Sequence, residues 1–133
     1  MIKAEYEYVD NSEEISNKIK AAIKRALERI GMTAVGFAKK LCPKDTGALQ
    51  NSIDHKVSGN DVYIGTNKEY GAYVELGTGK YYEGGRETPW VYQDAKGKWH
   101  MTHGQRAQPY LKPAAADHTQ TYKNIVEDEM RNG

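Results

Sequence analysis

The 133-residue sequence has one cysteine, one phenylalanine and four prolines, and Lys plus Arg (19) nearly balance Asp plus Glu (18). Cys42 alone cannot build an internal disulfide framework, and it suits a reducing compartment. The net charge of +1 gives no electrostatic basis for strong non-specific nucleic-acid binding by the whole chain. No apolar run approaches the ~20 residues that a membrane-spanning helix needs. The first residues, Met1-Ile2-Lys3-Ala4-Glu5, lack the charged-then-apolar profile of a signal peptide. The expectation is a protein made and kept in cytosol, with no membrane partner.

Aliphatic residues are also scarce. Leu, Ile, Val and Phe together make roughly a sixth of the chain, which is low for a self-sufficient core. Ten tyrosines and two tryptophans supply part of the missing apolar area, and such side chains favour places where one end stays wet. The expectation is one folded domain, residues 1–133, with a thin core completed against other subunits.

Residues 2–9 alternate Ile2, Ala4, Tyr6 and Tyr8 against Lys3, Glu5 and Glu7, the period of a half-buried strand. Asp10-Asn11-Ser12 offers helix caps, and Ile15, Ile19, Ile23, Leu27, Ile30, Ala34 and Leu41 then recur at helical spacing up to Pro43. About 30 residues of helix would run ~45 Å, longer than a domain of this size is wide. A kink near Gly31 or Gly36 is expected, the alternative being a helix that projects past its domain. A capped turn or short helix over Asp45–Ser52 follows. Strands at Ile53–Ser58 and Val62–Thr66 flank a turn at Gly59-Asn60-Asp61, and a helix over Glu69–Glu75 ends at Gly77. Residues 80–106 read as an inserted Gly-rich loop and aromatic hairpin, with Trp90–Gln93 and Lys98–Thr102 as its strands. Pro109–Pro113 reads as extended, and Ala114 to about Met130 as a last helix with Tyr122, Ile125 and Val126 inward. The class is α+β: one antiparallel sheet packed with a long N-terminal and a shorter C-terminal helix.

Asp45-Thr46-Gly47 spells the aspartic-protease triplet, but that chemistry needs the Asp at the end of an apolar strand, sharing a proton with a symmetry mate. Cys42-Pro43-Lys44 precedes it here, so a capping role for Asp45 or Thr46 is expected. Gly77-Thr78-Gly79-Lys80 lacks the strand, the earlier glycine and the Ser/Thr of a phosphate loop. His100 and His103 stand three apart on a strand, and Cys42, His55 and His118 are at no ligand spacing. No metal or cofactor is expected. The Lys18, Lys20, Lys24 and Arg25 face of the first helix, diluted by Glu13, Glu14 and Glu28, reads as solvated more readily than as a nucleic-acid surface. Nothing assembles a nucleophile, base and oxyanion site, so the chain is read as non-enzymatic.

Four ordered blocks carry a resemblance: Pro43-Lys44-Asp45-Thr46-Gly47-Ala48-Leu49-Gln50-Asn51-Ser52; Gly65-Thr66-Asn67; Tyr70-Gly71-Ala72-Tyr73-Val74-Glu75-Leu76-Gly77-Thr78-Gly79; and Pro109-Tyr110-Leu111-Lys112-Pro113-Ala114. Together they resemble the gene-ten-like family of long-tailed bacteriophages, the head–tail joining or tail-completion proteins. Tyr110 stands where the family pattern has Phe, and the insert at 80–106 separates the third and fourth blocks. The blocks read as scaffold, with Gly47, Gly65, Gly77 and Gly79 in turns, and Tyr73 and Val74 packing a short helix on the sheet.

The resemblance implies a tail-terminator-like fold and a structural role at the virion head–tail junction, assembled in the host cytoplasm. It implies partners too: further copies in a ring, commonly of six, the tail-tube protein and head connector proteins, with genome DNA passing through. A head-side connector or minor capsid component is the alternative within that resemblance. A small aspartic-type hydrolase and a DNA-binding module are the alternatives outside it. Trp90, Tyr92 and Trp99 are the candidate interface residues, because a lone hairpin is marginal in water.

Overall fold

The computed structural model describes residues 12–44 and 47–132. The strand expected at 2–9 and the caps expected from Asp45 and Thr46 lie outside these residues. Helix α1 spans Ser12–Leu41, α2 Ala48–Ser52, β1 Asp54–Ser58, β2 Asp61–Gly65, α3 Tyr70–Leu76, β3 Trp90–Gln93, β4 Trp99–Thr102, α4 Leu111–Ala116 and α5 Thr119–Asn132. The class is α+β. The described strands form two separate antiparallel hairpins, β1–β2 and β3–β4, the second lying within the insert expected at 80–106.

Acidic Glu13 and Glu14 in the first turn of α1 and basic Lys39 and Lys40 in its last turn both complement the helix dipole. The helix runs to Leu41 without a break at Gly31 or Gly36 and stops before Pro43. Its first ten residues, 12–21, are all exposed, as the projecting alternative has it. Ala22, Ala26, Gly31, Ala34 and Ala38 form its buried stripe. Small side chains there let neighbours approach closely. At Gly31 a Cβ would overlap the ring of His55 in β1, which explains a glycine in mid-helix.

Helix α5 packs along α1 in the opposite direction. Arg25 Nε meets Glu129 Oε2 at 2.9 Å, and Arg29 Nη1 meets Asp128 at 2.7 Å and Glu129 at 3.0 Å. At the far end Phe37 stacks on His118, ring centroids 3.6 Å apart. The guanidinium groups hold the Glu129 carboxyl below the ordinary carboxylate range, Arg25 most strongly. Continuing from His118 just before it, the inward face of α5 therefore follows Tyr122, Ile125 and Glu129, one every three or four residues, and Val126 falls to its exposed edge, against expectation.

The expected single last helix is two. Leu111–Ala116 is already helical, with Pro113 in the first turn, where its missing N–H costs nothing, and the chain breaks at Asp117 (φ −90°, ψ 0°) before α5. The core joins these elements: Ala38, Cys42, Leu49, Ile53, Tyr110 and Ala114 are buried, with Val35, Phe37, Ile64, Val74 and Leu111 packed around them.

Candidate assembly site

The blocks read as scaffold in the sequence meet at one place. Leu49 of the first block is in the core, and Ser52 Oγ lies 2.5 Å from Thr66 Oγ1 of the second. Thr66 Oγ1 also accepts the N–H of Lys68, turning the chain after Gly65 and Asn67 toward α3. Gly47 opens α2 with φ +73°, a conformation that favours glycine. Gly65 has no such need: it ends β2 with ordinary backbone and open space around it.

The third and fourth blocks are joined by a carboxylate. Glu75 Oε2 accepts the backbone N–H of Tyr110 (2.6 Å) and of Leu111 (2.9 Å), and Oε1 accepts that of Lys112 (2.9 Å). Tyr110 occupies the N-cap of α4 but makes no side-chain cap. Glu75, from another helix, takes over the cap and places negative charge at a helix start. The Tyr110 ring is fully buried, and its hydroxyl donates to the Gly71 carbonyl at 3.0 Å. Burial pushes the Tyr110 pKa up to about 12. A Cβ on Gly71 would strike both Thr66 and the Tyr110 hydroxyl.

With Gly71, Val74 and Glu75 turned inward, the short α3 leaves Tyr70 and Tyr73 outside. Tyr73 is 62 % exposed and does not pack on the sheet as expected, whereas Val74 does pack against the core. Pro43 and Pro113 are half-buried and Pro109 is exposed.

The Gly-Thr-Gly stretch closes the insert. Thr78 N–H donates to the Gln105 carbonyl (2.9 Å), Gln105 N–H to Thr78 Oγ1 (2.8 Å), Lys80 N–H to the His103 carbonyl (3.0 Å) and Gln108 N–H to the Val74 carbonyl (2.8 Å). A Cβ on Gly77, Gly79 or Gly104 would run into backbone of the opposing strand, and all three have positive φ. These glycines therefore form a neck from which residues 81–102 project. Nothing in the sequence signals this role except the Gly-Thr-Gly spelling itself. Beside the neck, Lys80 and Arg106 flank the Tyr81 ring at 5.2 and 5.6 Å, and Arg106 and then Lys80 hold the Tyr81 hydroxyl pKa below its ordinary value.

Beyond the neck the hairpin is ordered by Asp94. Its Oδ1 accepts the N–H of Lys96 and of Lys98, both at 2.9 Å, and Oδ2 pairs with His100 Nε2 at 2.7 Å, which holds the Asp94 carboxyl low. The register Trp90↔Thr102, Val91↔Met101, Tyr92↔His100, Gln93↔Trp99 sorts the side chains onto two faces. One face holds Trp90, under the Arg86 guanidinium at 5.7 Å, and Tyr92 stacked on His100 at 5.3 Å. The other holds Val91, Trp99 and Met101, which are 62, 65 and 69 % exposed. The three expected interface residues are thus divided: Trp90 and Tyr92 lie on the furnished face, Trp99 on the bare one. Among the described elements, strands β3 and β4 pack extensively only on each other.

Of the other sequence candidates, His55 pairs with Glu28 (2.8 Å) and Lys18 with Glu14 (3.8 Å). Gly79–Tyr81 is a single 3₁₀ turn after α3, without the helix that a phosphate loop leads into. Among the described residues no group of three His, Cys, Asp or Glu is placed to share a metal, and no helix is long and apolar enough to cross a membrane.

The arrangement leaves exposed apolar area on a hairpin tied to the body through a glycine-lined neck. Residues 7–77 match the family model of HK97-gp10-like bacteriophage tail components. No curated protein and no solved structure matches the chain.

Proposed function

The chain belongs to the HK97-gp10-like family of bacteriophage tail components, and on that premise we propose that it completes the tail at the head–tail junction, as a ring of copies capping the tail tube and docking it to the head connector. Its part is structural. The observation that carries the reading is the hairpin: Val91, Trp99 and Met101 stand exposed on a stalk outside the core, and a two-stranded ribbon without a third layer is marginal in water. Aromatic and Met side chains of this kind are common interface anchors. The thin core supports the same reading, since part of the stabilising apolar contact is left for assembly.

Deleting the gene from its phage and examining particles tests this. The expected outcome is DNA-filled heads beside separate tails, with tails that exceed the normal length because nothing caps the tube. Tails of normal length with leaking heads would place the chain on the head side, as a connector or minor capsid component. Normal virions would refute a junction role altogether. Supplying Trp99→Ala in trans should leave the separate-tail phenotype, while the purified variant keeps its melting temperature.

A further inference from the structure

Beside β2 lies a largely apolar groove of about 490 Å³, lined by Ile30 and Ala34 of α1, Val62 and Ile64 of β2, and Leu111 and Ala115, with Glu75 and Lys112 among its polar lining. No described strand other than β1 pairs with β2. Among the described residues the chain thus carries two apolar surfaces that no described strand or helix covers to a large extent, the groove and the exposed hairpin face. The hairpin is tied to the body through the neck, and the extensive contacts of its strands are with each other. We infer that the groove receives the Val91–Trp99–Met101 face of the hairpin from a neighbouring copy, an inference that rests on the ring reading and names the surfaces that meet in it.

Three considerations commit the groove to this occupant. The first is shape and chemistry. Trp99 and Met101 sit two residues apart on one face, the spacing with which an extended strand inserts alternate side chains beside a sheet edge, as in strand addition. An aromatic side chain covers about 150–250 Å² when buried, so Trp99 is the residue of that face with the most area to gain from a largely apolar groove.

The second is area. Three such side chains bury a few hundred Å², below the roughly 800 Å² per partner of a standard stable interface. Two free copies are therefore held weakly, and the contact becomes effective where every copy both gives a hairpin and receives one. The third is symmetry. Hairpin-in-groove is a head-to-tail contact between different surfaces, and such contacts generate rings when the rotation closes, whereas hairpin-on-hairpin pairing would stop at two copies.

Disulfide trapping tests the pairing, because it captures brief encounters between free copies. Met101→Cys and Ala115→Cys are exposed substitutions, and the native Cys42 is buried in every variant. The two purified full-length variants, each checked for an unchanged melting temperature, are mixed in equal amounts under mild oxidation. The control is Met101→Cys mixed with Asn60→Cys, in the exposed β1–β2 turn. A 101–115 disulfide between copies is expected to form at least tenfold faster than the 101–60 control. Equal rates overturn the inference, and so does a product dominated by 101–101 links, which would mean that hairpins pair with each other. The outcome is separable from the ring reading. If the phage deletion gives separate heads and tails but the 101–115 link does not form, the ring stands and the groove is not its receptor. If the link forms and the deletion leaves virions normal, the copies associate but not at the junction.

Discussion

Glu75 reaches across the fold to the backbone N–H of Tyr110, 2.6 Å from its carboxylate, and so starts a helix whose own N-cap residue supplies no acceptor. The same carboxylate takes the N–H of Leu111 and Lys112. Replacing Glu75 by Ala leaves these donors without it, at a cost of about 1–3 kcal/mol. Glu75→Gln retains an acceptor but not the charge and should fall between. Denaturant titration of the three proteins checks the order, and an Ala variant as stable as the parent would contradict the cap.

Gly71 and Tyr110 form a second test. Gly71→Ala drives a methyl into Thr66 and the Tyr110 hydroxyl, an overpacking that costs about 1–3 kcal/mol. Tyr110→Phe alone gives up one hydrogen bond, about 0.5–1.5 kcal/mol. It also removes one of the two obstacles, so Gly71→Ala should cost less in the Tyr110→Phe background than in the parent. A double-mutant cycle reads the difference directly, and strict additivity would mean that the two residues do not meet.

The clamp between α1 and α5 carries a pH dependence of definite sign. The folded-state pKa of Glu129 is depressed by Arg25 and Arg29. Its contribution to stability is therefore present above the ordinary carboxylate range of about 4 and is lost as the pH falls through the lower folded value. Arg25→Ala should move the Glu129 titration upward and narrow the difference in stability between neutral and acid pH. Carboxyl-detected NMR titration follows the first effect and denaturant melts at two pH values the second. An unmoved Glu129 titration would count against the pair.

Gly79→Ala should act locally. It places a methyl against the His103 carbonyl at a backbone φ of +60°, so the Thr78–Gln105 and Lys80–His103 hydrogen bonds open. Because the described hairpin strands pack extensively only on each other, amide exchange at residues 78, 80 and 105 should rise much more than at core amides such as that of Ile53. Uniform acceleration would show that the neck is part of the cooperative core.

The regular elements were legible because each is written locally. The spacing of Ile15 to Leu41 marks α1, Gly59 and Gly97 mark the two hairpin turns, and Gly77 ends α3. Apart from the start and split of the last helical segment at Leu111 and Asp117, the misreadings were non-local. Sequence spacing could not tell a kinked α1 from a projecting one, because that depends on α5 running beside only part of it. It put Tyr73 inward, because a two-turn helix has several faces and only Glu75's distant partner decides which one turns in. The motif glycines and Glu75 were visible as a pattern, but their tasks depend on residues 103–112, which the chain brings back only after the insert. For the aromatic hairpin, the residue types mark out candidate interface residues; which of Trp90, Tyr92 and Trp99 share a face follows only once the register is fixed.

Since Thr78 and Gln105 are bonded to each other, the entropy of closing the chain between them is already met at the neck. What lies beyond it is free to change length and chemistry with little strain on Val74, Gln108 or the helix that follows. The body of the protein thus behaves as a socket fitting with an exchangeable bit: residues 81–102 could be shortened to a tight turn, or replaced by a hairpin cut for a different mate, and the fold would register the exchange mainly at its two glycine-lined rims.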